Sequence, residues 1–130
     1  MPTKLLRSSW IPGPDHDQPG PVLVSITDFH LNTATDLPAA HRAARRLATN
    51  WPNLQGAYGM WLWARPFTRH CGAVAIWRNE AALQGFVGWG PHAEIMRRYR
   101  GRGALTSSTW HAEVFDRVGI WGRARSRLLA

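Results

Sequence analysis

Residues 73–77, AVAIW, run directly into residues 78–98, RNEAALQGFVGWGPHAEIMRR. The first five are apolar and partly β-branched, and read as a strand. Asn79 is a good N-cap, and the helix it opens runs through Phe86 and Val87. Gly88 and Gly90 interrupt that helix. Pro91, which has no N–H to lose at a helix start, begins another that reaches about Tyr99. Counting from His92, the apolar residues Ile95, Met96 and Tyr99 fall three, four and seven positions on. His92 therefore sits on the oily side of the new helix, in its first turn. Burial and the positive end of the helix dipole both disfavour imidazolium, so this histidine is expected to be neutral.

Working outward, Val22–Leu31 (VLVSITDFHL) is a β-branched, alternating strand. Val22, Val24, Ile26, Asp28 and His30 lie on one face, and Leu23, Ser25, Thr27, Phe29 and Leu31 on the other. A helix follows from about Pro38 to Thr49, with Leu37, Ala40, Ala44, Leu47, Ala48 and Trp51 as its apolar stripe and Arg42, Arg45 and Arg46 outward. Strands near residues 56–65 and 71–77 are joined by a hairpin connection at 66–70. A last strand covers Thr106–Phe115. The order β-α-β-β-α-β predicts an α+β, ferredoxin-like domain with a four-stranded antiparallel sheet over residues 21–117. Residues 1–20, rich in Pro and Gly, read as a flexible tail lying over the domain, and residues 118–130 as a basic tail able to form a helix. Helices on one side leave the other face of the sheet bare. Pairing with a second copy is the economical way to cover it, so a homodimer is expected.

Composition narrows the function. The chain has 130 residues, 45% hydrophobic, with no apolar run long enough for a membrane span. One cysteine, Cys71, excludes an internal disulfide, and a cytoplasmic setting follows as the simplest expectation. The net charge is +8, with arginines crowded into the last third. Such a surface can meet phosphates, but the usual nucleic-acid recognition motifs are absent, which argues against a nucleic-acid partner. Eight tryptophans in so short a chain point instead to a pocket for a hydrophobic small molecule.

The candidate catalytic residues are His92, together with His30 and Asp28, two positions apart on one strand face and able to share a proton. Trp61, Trp63 and Arg65 share one face of the second strand. If the helices cap that face, a pocket forms, lined by Trp61, Trp63, Trp77, Phe86, His92 and Trp110 with Arg65 nearby. The alternative is that these aromatics are core and interface. His70 and Cys71 point to opposite strand faces, which makes them neither a metal site nor a dyad.

Trp77, Phe86, Gly90-Pro91-His92 and then Trp110-His-Ala-Glu113-Val-Phe115-Asp-Arg117 resemble a motif of the dimeric α/β-barrel superfamily. The run is most similar to the spheroidene monooxygenase-like branch, with the antibiotic-biosynthesis monooxygenases more distant. The resemblance implies a dimeric α/β barrel and a small-molecule oxygenase or isomerase of specialised metabolism. Its substrate would be aromatic, polycyclic or isoprenoid. His92 would be the motif histidine, acting either as a base in a cofactor-independent reaction or as the ligand of a haem iron. Two other readings stand beside this one: a non-catalytic module binding a hydrophobic ligand or haem in stress response, and a basic nucleic-acid-associated protein.

Overall fold

The architecture is that of a computed structural model describing residues 4–130. Strands β1 (Leu6–Arg7), β2 (Ile11–Pro12), β3 (Val22–Leu31), β4 (Ala57–Arg65), β5 (His70–Trp77) and β6 (Gly103–Ala112) form one sheet. Its order is β1-β4-β5-β3-β6, with β2 also on β4, and every pairing is antiparallel. The helices are α1 (Leu37–Ala48), α2 (Glu80–Val87), α3 (Gly90–Arg98) and α4 (Arg117–Leu129). Strands β3 to β6 with α1 and the α2–α3 pair make the expected ferredoxin-like unit. The Asn79 side chain accepts from the Ala82 amide at 3.0 Å and starts α2.

Both faces of the sheet are buried, by different partners. Leu23, Met60, Leu62, Ala75 and Trp77 pack under α1 and α2 with Ala48 and Trp51. Val22, Val24, Ile26, Trp61, Trp63, Val74, Ile76 and Trp110 pack instead against Ile120, Ala124 and Leu128 of α4. Those three residues recur every fourth position, a single apolar stripe, which is why an otherwise arginine-rich segment docks as a helix.

Four expectations are thereby corrected. Residues 118–130, expected as a basic tail, make most of α4 and pack on the sheet. The face expected to be bare is covered by α4, so the bare-face argument for pairing with a second copy does not hold. Residues 6–12 are sewn to β4 as β1 and β2. The last strand covers Gly103–Ala112, three residues earlier than expected, because its partner β3 begins at Val22, opposite Ala112, and offers no ladder beyond. Beside the register shift between Ala57 and Gly59 of β4, Gly59 has no room for a side chain: a Cβ there would meet the ring of Trp10, which lies tilted against Trp61.

Candidate active site

A cavity of about 530 Å³ lies between the sheet and helices α1, α2 and α3. Its floor is the face of β3 and β5 carrying Ser25, Thr27, Phe29, Cys71, Ala73, Ala75 and Trp77, and its far side is Leu105, Ser107 and Thr109 of β6. Trp51, Phe86, His92, Met96 and Tyr99 come down from the helical side. Trp51, Trp77 and Phe86 are packed together, with ring centroids 5.0 to 5.2 Å apart.

The chain folds to this shape for local reasons. The α2–α3 break at Gly88–Gly90 turns the helix axis, and Pro91 sets the first turn of α3. His92 then lies against Phe86, ring centroids 4.5 Å apart. The ring Nδ1–H donates to the Val87 carbonyl at 3.2 Å, which leaves Nε2 with its lone pair. Burial lowers its pKa below the usual 6.5, with the Val87 hydrogen bond opposing the shift. His92 is thus a neutral imidazole with an unused acceptor nitrogen.

A second histidine, His41 of α1, also lines the cavity. Its Nε2 accepts from the Arg45 Nε at 3.2 Å, so its remaining N–H is a donor. Burial and then the Arg45 charge lower its pKa. Both rings are kept below their unfolded values, so their neutral forms stabilise the fold above pH 6.5. That contribution disappears as pH falls through the lowered values. The Ser25 hydroxyl accepts from the Trp77 indole N–H at 3.1 Å inside the floor, leaving its own proton for another acceptor.

His41, Trp51, Gln84, Ser25 and Cys71 were not among the residues expected here. His41 carried a signal: it follows Leu37 by four and precedes Ala44 by three, within the stripe of α1. Cys71 is buried in the floor, and burial, then the charge of Asp28, pushes its thiol up to about 11. It is therefore expected to resist iodoacetamide at pH 8 in the folded chain and to react once urea unfolds it. Rapid alkylation of the folded chain would show that the floor is open.

The remaining predicted site residues lie elsewhere. Trp61, Trp63, Arg65 and Trp110 are on the opposite face of the sheet, under α4, so the pocket lining expected from the sequence is corrected for these four. Arg65 donates to the Leu128 carbonyl at 2.7 Å. Asp28 and His30 are on that face too. The carboxylate of Asp28 pairs with His70 Nδ1 at 2.6 Å, not with His30, whose ring stacks on His70 at 4.2 Å. The reason is register: His30 faces His70 directly across the β3–β5 ladder, and Asp28 lies one step along the same face.

No protein-family model matches the chain, and no curated protein does. Solved structures do. One is a ferredoxin-fold protein related to antibiotic biosynthesis monooxygenases from Listeria monocytogenes 4b F2365 (TM-score 0.57, 15% identity, covering 72% of this chain and 57% of that one). Another is the heme-degrading enzyme LmHde from Listeria monocytogenes (TM-score 0.58, 12% identity, 82% and 71%). A third is SnoaB, a cofactor-independent oxygenase from Streptomyces nogalater (TM-score 0.53, 14% identity, 70% and 92%). The chain shares their ferredoxin-like fold. The resemblance expected from the sequence is met at that level. The chain spans only about half the length of several structures it matches. Among its described residues, no helix is long and apolar enough to cross a membrane.

Haem can be tested against this cavity. His92 Nε2 could serve an iron, but the lining holds no arginine or lysine for two propionates, and its one charged residue, Glu80, has the wrong sign. These residues do not fit haem.

Proposed function

We propose that the chain is a monooxygenase-like enzyme of specialised metabolism, acting without haem on a hydrophobic aromatic or polycyclic molecule held between sheet and helices. The observation that carries this is the neutral His92, whose Nε2 lone pair has no partner among the described residues and faces an apolar cavity of about 530 Å³. A neutral imidazole in a largely apolar site is suited to abstraction of a weakly acidic proton. In this reading His92 Nε2 takes a proton from a phenolic O–H or activated C–H, and the resulting electron-rich anion is the species that molecular oxygen oxidises. The His41 N–H is placed in the same cavity to donate to a substrate oxygen. Trp51, Trp77 and Phe86 hold the ring system, and the partial burial of His92 favours its unprotonated form.

The test is oxygen uptake and product mass measured over a panel of hydroxylated polycyclic aromatics. His92→Gln is expected to keep the wild-type circular dichroism and lose turnover by about 10²- to 10⁴-fold. The wild-type rate is expected to hold through neutral pH and to fall only below pH 6.5, as His92 takes up its proton. Full activity in His92→Gln would end its role as base. Tight ligand binding with no product would favour the non-catalytic binding module. A Soret band in the purified protein would overturn the haem-free reading.

The proposal includes a homodimer, supported by the outer strand. Leu105 is 45% exposed, and the unpaired edge of β6 leaves the cavity open on that side. A second copy alongside β6 would close it, and the mass in solution checks this.

A further inference from the structure

Helix α4 carries only positive charge: residues 117–130 contain Arg117, Arg123, Arg125 and Arg127 and no acidic residue. These arginines are not neutralised by carboxylates. The arginine ion pairs among the described residues are Arg78–Asp15, Arg98–Glu94 and Arg102–Asp36, all away from α4. The guanidiniums of this face lie instead on indoles. Arg123 and Arg127 both stand over Trp110, at 4.8 and 4.6 Å from its ring centroid. Arg117 is 5.3 Å from the Trp10 ring, and Arg7 of β1 lies between Trp61 and Trp121 at 5.6 and 4.9 Å. Every cation–π contact among the described residues is on this face.

An indole holds a guanidinium through its π-face and leaves N–H groups of the guanidinium edge available, although Arg127 already donates one to the Ser108 hydroxyl at 3.4 Å. Two like charges four residues apart on one ring also repel each other, and an anion between them would remove that cost. The pattern therefore amounts to two groups of donors not paired with carboxylates, Arg123 and Arg127 on the β6 side of α4 and Arg117 with Arg7 toward β4.

We propose that this face binds the phosphodiester backbone of nucleic acid without reading its sequence. Arg117 to Arg127 spans about 15 Å of helix at 1.5 Å per residue, about four base steps of a duplex strand. The missing recognition motifs that argued against a nucleic-acid partner bear on sequence-specific reading, which backbone binding does not need. An anionic membrane is the poorer match. The apolar side of α4 (Ile120, Ala124, Leu128) is buried against the sheet and has nothing to insert among lipids.

The test uses the full chain and fluorescence anisotropy with a labelled 20-nucleotide RNA and a DNA duplex of the same length, titrated across salt. Binding of both is expected, with log affinity falling linearly against log salt. Replacing Arg117, Arg123 and Arg127 by Gln should reduce that slope by about two to three and weaken binding about tenfold or more at low salt. A control with the same charge loss elsewhere, Arg42, Arg46 and Arg97 to Gln, should keep the slope. Equal loss in both variants would mean bulk charge alone and overturn the proposal, as would no binding at low salt. Sedimentation with phosphatidylserine vesicles but not with nucleic acid would overturn it in favour of a membrane. If the α4 variant fails to fold, phenylglyoxal modification of the wild type decides the matter. Bound RNA should shield Arg123 and Arg127 and spare Arg42, and uniform modification would refute the assignment.

Discussion

Ala124→Asp is expected to unfold the domain or bring it to the edge of unfolding. Ala124 is fully buried between α4 and the strands that carry Val24, Trp63 and Val74. A carboxylate placed there enters the layer of Val24, Trp63 and Val74 and either stays charged in apolar surroundings or takes up a proton with a strongly raised pKa. Either route costs about 4 kcal/mol or more, close to the whole stability of a small domain. In thermal unfolding this corresponds to about 15 °C for a chain of this size. Ala124→Ser, which adds a hydroxyl and no charge, should lose much less. An Ala124→Asp protein melting within two or three degrees of wild type would show that α4 is not seated on the sheet.

Trp77→Ala should destabilise by about 3–5 kcal/mol. The indole is 1% exposed, contacts Trp51 and Phe86, and donates its N–H to Ser25. Its removal deletes that donor and merges its own volume with the cavity. Neighbouring strand residues Leu23 and Ala57 are held by the backbone ladder and cannot close the gap. The loss should appear in urea unfolding as an earlier midpoint with nearly unchanged slope, which separates lost packing from a change in the denatured state. Trp77→Phe keeps most of the apolar bulk and should recover more than half of the difference. If both variants unfold like the wild type, the floor of the cavity is not a packed layer.

The sequence made β3, α1, the β4–β5 hairpin and the α2–α3 break legible because each carries its own local signal: alternation in 22–31, a stripe in 37–48, Asn79 at a cap and Pro91 at a restart. In the half of the pocket formed by Trp77, Phe86 and His92, helix periodicity placed His92, while Trp77 and Phe86 came from the aromatic-pocket reading and the family resemblance. The other half could not be read, because β4 bears Trp61 and Trp63 on one face and Met60 and Leu62 on the other. When both faces of a strand are buried, alternation names two faces but not which helix covers either. The missing fact was that a second cover existed. Three apolar residues in α4, spaced by four among arginines, are a faint stripe, yet they claim the whole Trp-bearing side. Asp28 went to His70 and not to His30 for a similarly non-local reason: the β3–β5 register, set forty residues away, brings the stronger partner.

The two short strands at the start of the chain bear on how copies of this protein can associate. By lying along β4 they spend one margin of the sheet, and a two-residue strand ending in Pro12 is a poor template for anything further. The ribbon can therefore be lengthened only past β6. Two chains joined there would present nothing for a third to add to, so self-association by strand addition should stop at a pair and not run on into fibres.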